Sequence, residues 1–393
     1  MINGPFPSWP SFTDEEACAV QKVLLSNKVN YWTGQEGRKF ETEFAAYSES
    51  EYAIAVANGT VALDLAFKGV DLPEGGEVIV TSRTFLASVS SIVNAGLVPV
   101  FADVDYDSQN VNIDSIKAAY SEKTVAILCV HLAGWPCDMD PIVEFASSEA
   151  LIVIEDCAQA HGASYKGRPV GSIGDVGCWS FCQDKIMSTG GEGGMVTTNS
   201  EFLWKKMWAY KDHGKAWDAV YNTQHPAGFR WLHESFGTNW RMTEMQSAIG
   251  RIQLKRMPEW QKARLKNAES IWSQAKDLNG LRVPEIPHDI EHAVYKCYVF
   301  VEIEELNPGW NRDRIIDEIT KKGVPCFSGS CSEVYLEKAF EKTDLRPLKR
   351  LPVAKELGET SLMFLVHPTL TQNEIQRTCD VLASVMQDAC RQC

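Results

Sequence analysis

Lys185 stands in SFCQDKIMSTGGEGGMVTT, between an apolar, strand-like run and a loop holding four glycines. A lysine in that place is either a surface residue entering a glycine turn or an amine held beside a phosphate-cradling loop, where it can form a Schiff base. Two other stretches bear on the choice. In AVANGTVALDLA, Gly59 and Thr60 follow an apolar run and open a helical pattern. Free N–H groups and the helix dipole would there face an anion, although Asn-Gly-Thr is also an ordinary helix cap. In LIVIEDCAQAHGA, an apolar run ends in Glu155-Asp156 and delivers a carboxylate where a sheet opens. A helix N-cap or a metal-ligand acid are the other readings of that pair. Taken together, an amine, a strand-end carboxylate and a Gly-Thr helix start are what pyridoxal 5′-phosphate requires: a partner for its aldehyde, one for its pyridine nitrogen and donors for its phosphate.

These residues need a frame that brings strand ends together. Apolar, β-rich runs at Ala53–Ala57, Glu77–Thr81, Val98–Ala102, Thr124–Val130, Leu151–Glu155, Val176–Phe181 and Gly194–Thr198 read as strands. Helical patterns such as Val61–Gly69, Leu86–Ala95 and Asp138–Ser148 lie between the earlier ones. The alternation predicts an α/β fold, a mostly parallel sheet with helices on both faces. VAILCV and LIVIE are apolar almost throughout, as strands buried on both sides are. In such sheets ligands gather beyond the carboxyl ends of the strands, where all three stretches fall. From Arg251 to Leu278 a long charged helical pattern takes over. Strands near Tyr298–Ile303 and Ser361–Val366 follow, with helices near Asn311–Lys322 and Gln372–Cys390. The expected division is a large domain over 1–250 and a smaller α/β domain over 251–393 that begins with the long helix.

The 393 residues, 45% of them hydrophobic, suffice for two sizeable cores. A net charge of −14 argues against nucleic acid as a partner, because phosphate backbones need clustered Lys and Arg. Twelve scattered cysteines without a C-x-x-C pair suit a reduced compartment, with neither a disulfide framework nor a metal site. The N-terminal stretch lacks the pattern of a signal peptide, and no apolar run spans a bilayer. The expectation is a soluble cytoplasmic chain.

Over most of its length the sequence resembles the DegT/DnrJ/EryC1/StrS aminotransferases, the sugar-aminotransferase branch of fold-type I pyridoxal-phosphate enzymes. The resemblance runs through NYWTGQEGRKFETEFAAY, VANGTVALDLA, TFLASVSSIVNAGLVPVFADVD, HLAGWPCDMDPI, EDCAQAHGASYKGRPVGSIGDVGCWSF, the lysine loop and NWRMTEMQSAIGRIQL. It implies that Lys185 is the Schiff-base lysine and that Asp156 pairs with the pyridine nitrogen. Gln159 would lie near the ring hydroxyl and Phe85 would stack on the ring. Gly59, Thr60 and Ser180 would hold the phosphate. Asn239 would reach the phosphate of the neighbouring subunit's cofactor, which implies a homodimer with composite sites. Substrate contacts are expected from Tyr31, Trp32, Arg241 and His292. His131 and His161 read as structural, and Trp135, Trp179 and Trp240 as packing. Two departures bear on this. Five residues, Ile186–Gly190, separate the lysine from GEGG, where four are commoner. Some relatives carry histidine in place of the lysine and act as dehydratases, so the lysine here favours transamination.

The expected activity is transfer of an amino group, from an amino acid such as L-glutamate, to a keto-sugar. A nucleotide-linked sugar is favoured, as in surface-polysaccharide or amino-sugar biosynthesis. A cyclitol ketone of aminoglycoside-type biosynthesis is the same-fold alternative, and a non-catalytic regulatory protein the alternative from another class.

Overall fold

The computed structural model describes residues 6–390; the outermost ends of the two expected domains lie outside the described residues. Seven strands form the central sheet: β1 Tyr52–Val56, β2 Glu77–Thr81, β3 Val98–Ala102, β4 Thr124–Val130, β5 Ile152–Asp156, β6 Val176–Ser180 and β7 Gly194–Thr198. They lie in the order β1-β7-β6-β5-β4-β2-β3. β2, β3, β4, β5 and β6 pair in parallel, while β7 runs antiparallel to both β6 and β1. Six of the seven strands therefore end at one edge, and their βα turns collect there.

Period-two alternation sets the two faces of the sheet. Val78 and Val80 pack with Leu128, Ile154 and the helices Gly59–Val70, Leu86–Asn94 and Glu201–Lys211. Ile79 and Ile127 point the other way, onto the helices Ile113–Ala119 and Met139–Ser148. This is the expected arrangement of helices on both faces.

The long helix is Glu244–Lys276, opened by a capping box between Thr243 and Gln246. Leu254 and Met257 pack with Phe40 and Phe181, whereas Ala268, Ile271 and Trp272 belong to the C-terminal core. The division expected after residue 250 thus falls inside one continuous helix that serves two cores. Beyond it, Leu281–Arg282, Cys297–Val301, Ser361–Phe364 and Cys326–Phe327 form an antiparallel sheet in that order. The helices Arg312–Lys321 and Gln372–Ala389 pack against it. Ile290–Glu291 returns to pair with Ser164–Tyr165, tying this part to the first. No helix among the described residues is long and apolar enough to cross a membrane.

Candidate active site

A cavity of about 730 Å³ opens at the carboxyl edge of the central sheet. Gly59, Thr60, Phe85, Asp156, Gln159, Ser180 and Lys185 all line it.

The segment after β1 is shaped by a helix start. Asn58 caps Gly59–Val70 by accepting from the Val61 N–H at 2.9 Å. The N–H groups of Gly59 and Thr60 precede the first helical carbonyl and have no intrahelical partner to reach. A Cβ on Gly59 would stand 2.5 Å from Ser180 Cβ, so glycine alone lets this helix start meet the end of β6. Peptide N–H groups, a hydroxyl and the positive end of a helix thereby converge, as a phosphate needs.

Asp156 ends β5 with its side chain toward the cavity. Oδ2 accepts from Ser88 Oγ at 2.8 Å and Oδ1 from the Ala158 N–H at 3.1 Å. Burial pushes its carboxyl up, against the bonds of Ser88 and Ala158 and the charge of Lys185. A buried acid so placed gains most from a cationic N–H brought beside it. Glu155, its neighbour, points to the opposite face. It accepts from His131 Nε2 at 2.9 Å and from the N–H groups of Gly171, Ile173 and Gly174 at 2.7–2.9 Å. Burial alone would raise Glu155, but His131 and these backbone donors bring it below the usual range. His131, Glu155 and Cys157 place ligand atoms within 4.8 Å of one another. Glu155 is nevertheless fully occupied by those four bonds, so the group is a strut behind Asp156.

Lys185 is steadied by its neighbour Asp184 and by two residues distant in sequence, Tyr295 and Trp9. Its amine lies 3.5 Å from Asp184 Oδ2 and 5.2 Å from the centre of the Tyr295 ring. The Tyr295 hydroxyl in turn donates to Asp184, and Trp9 Nε1 donates to the Lys185 carbonyl at 2.7 Å. Gln159 accepts from the Ala133 N–H at 2.8 Å, which leaves its NH2 as its remaining donor. Phe85 is 71% exposed on the cavity wall. A buried acid, a flat aromatic, a phosphate-shaped helix start and a lysine on one cavity form a donor set that fits pyridoxal phosphate.

Other expected residues stand elsewhere. Tyr31 is only 2% exposed within its own chain, where its hydroxyl donates to Glu41 Oε2 at 2.9 Å and accepts from Trp208 Nε1 at 3.2 Å. Trp32 Nε1 and Arg241 Nη1 both donate to Asp212 Oδ1, at 3.2 and 2.7 Å. His292 accepts from the Val294 N–H at 2.9 Å and packs between Trp135 and Trp272. Burial pulls its imidazole down to about 3, so it is neutral. None of these four lines the cavity within its own chain. Asn239 is exposed, outside the cavity, next to Trp240, whose carbonyl accepts from the Ala57 N–H at 3.0 Å. His161 is buried against Trp179 and Phe181 with its imidazole lowered to about 3 by burial, and Trp179 and Trp135 are buried too.

Sequence reasoning missed Ser88, Asp184 and Ser330; it offered Lys296, with Arg230 and Arg241, as donors to a diphosphate, and it included Tyr295 in the segment His292–Tyr298 expected to set specificity. Ser88 alone had a local signal, standing one helical turn after Phe85 in TFLAS.

Comparison with known proteins bears on what this cavity serves. The sequence profile of the DegT/DnrJ/EryC1/StrS aminotransferase family matches residues 10–383. A GDP-perosamine synthase of Escherichia coli O157:H7 is 34% identical over 388 residues, covering 96% of this chain and 98% of that one. The X-ray structure of an aminotransferase from Psychrobacter cryohalolentis superposes with a TM-score of 0.96 at 63% identity, over 98% of this chain and 99% of that one. Streptomyces venezuelae DesV, crystallised in complex with a ketimine intermediate, superposes with a TM-score of 0.85 at 30% identity, over 95% of each chain.

Proposed function

Since the chain belongs to the DegT/DnrJ/EryC1/StrS aminotransferase family and is a pyridoxal-phosphate-dependent aminotransferase, we propose that it moves an amino group from L-glutamate to a nucleotide-linked keto-sugar. The observation that carries this reading is the single cavity shared by Gly59, Thr60, Phe85, Asp156, Ser180 and Lys185, set beside relatives named for nucleotide-sugar products.

When bound, pyridoxal phosphate supplies an aldehyde that carries the amino group and a ring that accepts a carbanion's electron pair. The protein does the rest. The N–H groups of Gly59 and Thr60 and the Ser180 hydroxyl bind the phosphate. Asp156, held by Ser88 and Ala158, keeps a proton on the pyridine nitrogen. Phe85 covers the ring face and excludes water from it. Lys185 would hold the cofactor at its aldehyde and, as a free amine, would move the proton at the substrate's reacting carbon. Asp184 and Tyr295 fix where that amine points.

Donor and acceptor use one place in turn, so ping-pong kinetics follow. A nucleotide-sugar carries a diphosphate and a base that reach well beyond the cofactor, and that remote binding energy orients the ketone. UDP, dTDP or GDP should therefore compete with the acceptor while leaving the glutamate half-reaction nearly unchanged. Silence from all three nucleotides would defeat the nucleotide-sugar reading and favour a cyclitol ketone.

We further propose a homodimer in which Asn239 reaches the partner's cofactor phosphate. In support, the loop leading to Asn239 carries Phe229, Trp231 and Phe236 at 76%, 84% and 99% exposure. Apolar side chains so exposed in one loop mark a surface that another chain covers. Asn239→Ala should leave the dimer intact yet weaken cofactor retention about tenfold, the worth of one hydrogen bond to a charged group. Sedimentation and cofactor absorbance after dialysis measure both. A cofactor-saturated monomer would contradict it.

A further inference from the structure

Resting on that functional reading, we propose that Lys296, with Ser330 and the backbone of the loop Gly329–Cys331, receives the anionic oxygens of a substrate: the donor's carboxylate or the acceptor's diphosphate. Lys296, Gly329, Ser330 and Cys331 line the same cavity as Lys185. The Lys296 amine lies 5.3 Å from the centre of the Tyr295 ring, and the Lys185 amine 5.2 Å from that same centre. One phenol therefore lies close to both amines, and a group held by Lys296 is within a small molecule's length of the reacting nitrogen.

The two lysines differ in their partners. Lys185 is paired with Asp184. Lys296 donates to Ser330 Oγ at 3.1 Å and has no carboxylate in ion-pair range among the described residues. A cation on a cavity wall whose partner is only a hydroxyl keeps its charge available for a ligand.

The wall behind it is built rigidly and is also positive. Arg83 is fully buried, and its three forks donate to neutral oxygens: Gln109 Oε1 at 3.0 Å, Ser332 Oγ at 2.6 Å and Ser361 Oγ at 2.8 Å. Its guanidinium lies 5.4 Å from the centre of the Tyr298 ring. The Tyr298 hydroxyl accepts from the Ser330 N–H at 2.7 Å. Gly329 adopts φ +86° and any Cβ there would collide with that hydroxyl. Arg83 and Tyr298 thus clamp the loop that presents Ser330. Burial alone would push the Tyr298 phenol up, yet the charges of Lys296 and Arg83 with the Ser330 bonds bring it below its ordinary value. Lys296 and Arg83 both bring positive charge to this wall. In a chain of net charge −14, an anion must be met by such a local field.

The test is titration calorimetry on the cofactor-loaded enzyme and on its Lys296→Gln, Lys296→Arg and Ser330→Ala variants. The probes are 2-oxoglutarate and pyruvate for the donor side, and UDP, dTDP and GDP for the acceptor side. Lys296→Gln should weaken one set at least about tenfold, Lys296→Arg should weaken it less, and Ser330→Ala should weaken the same set. Loss confined to 2-oxoglutarate assigns the wall to the donor carboxylate; loss confined to the nucleotides assigns it to the diphosphate. Unchanged affinity for every probe in Lys296→Gln and Ser330→Ala overturns the proposal. A wild-type enzyme that forms no keto acid from any amino acid would instead defeat the functional reading, a different result.

Discussion

Lys185→Ala abolishes the visible absorption of the lysine-held cofactor and lowers turnover by at least about 10³-fold, within the range set by removal of a positioned proton-transfer group. The expectation follows from the cavity. Lys185 has its amine 3.5 Å from Asp184 Oδ2 and its carbonyl tied to Trp9. Among the described residues, it and Lys296 are the lysines that line the cavity. The fold should survive, because Asp184, the ion partner of the Lys185 amine, is largely exposed, and the Trp9 bond goes to the Lys185 carbonyl, which alanine keeps. The measurement is an absorption spectrum of the purified variant beside a thermal melt. An unchanged band would move the covalent link to another lysine, and Lys296 would be the first to examine.

Asp156→Asn should keep the cofactor and lose about 10²–10⁴-fold in turnover, because an amide cannot hold a proton on the ring nitrogen. Retention is expected since the phosphate is met by Gly59, Thr60 and Ser180, which the substitution does not touch. Ser88 can still donate to the amide oxygen, so the side chain stays oriented. The sign of the wild-type shift supports the pairing. Burial raises the Asp156 carboxyl, and a pyridinium beside it stabilises the charged form and draws that value back down. In the free protein the buried carboxylate therefore costs stability as pH rises through its raised value, and cofactor binding removes that cost. Half-reaction rates with glutamate measure the effect; near-native rates in Asp156→Asn would take this residue out of the role.

What the sequence made legible was whatever is local. Thr124–Val130, Glu77–Thr81, Val98–Ala102 and Gly194–Thr198 are strands over the residues that their apolar runs mark. Gly59–Thr60, Asp156 and Lys185 stand out because each sits where such a run breaks into glycine, acid or amine. A parallel sheet then brings those breaks to one edge. The long helix begins at Glu244 and not near Arg251, since Thr243–Gln246 signals its start through a capping box that hydrophobic periodicity does not see. Helices such as Glu36–Tyr47 and Pro352–Thr360 were not singled out, because charge and short length blur their apolar faces. The contacts that position the site were not legible for another reason. Trp9 with Lys185, Ser88 with Asp156, Tyr295 with Asp184 and Arg83 with Ser332 join residues 68 to 249 positions apart, and no local pattern encodes such pairs. Tyr31 shows the same limit: nothing near it in NYWTGQEGRKFETEFAAY signals that Trp208, 177 positions on, donates to its hydroxyl.

The central claim is that one site takes nitrogen from an amino acid and gives it to a nucleotide-linked ketone. The direct measurement is a two-step chase. The enzyme is loaded with ¹⁵N-L-glutamate, freed of donor by rapid desalting, and offered UDP-, dTDP- and GDP-linked keto-sugars separately before mass spectrometry of each nucleotide fraction. The account predicts ¹⁵N in the nucleotide amino-sugar of at least one series and none in that fraction from Lys185→Ala. Label that leaves the enzyme for 2-oxoglutarate but for none of the nucleotide-linked ketones would contradict it.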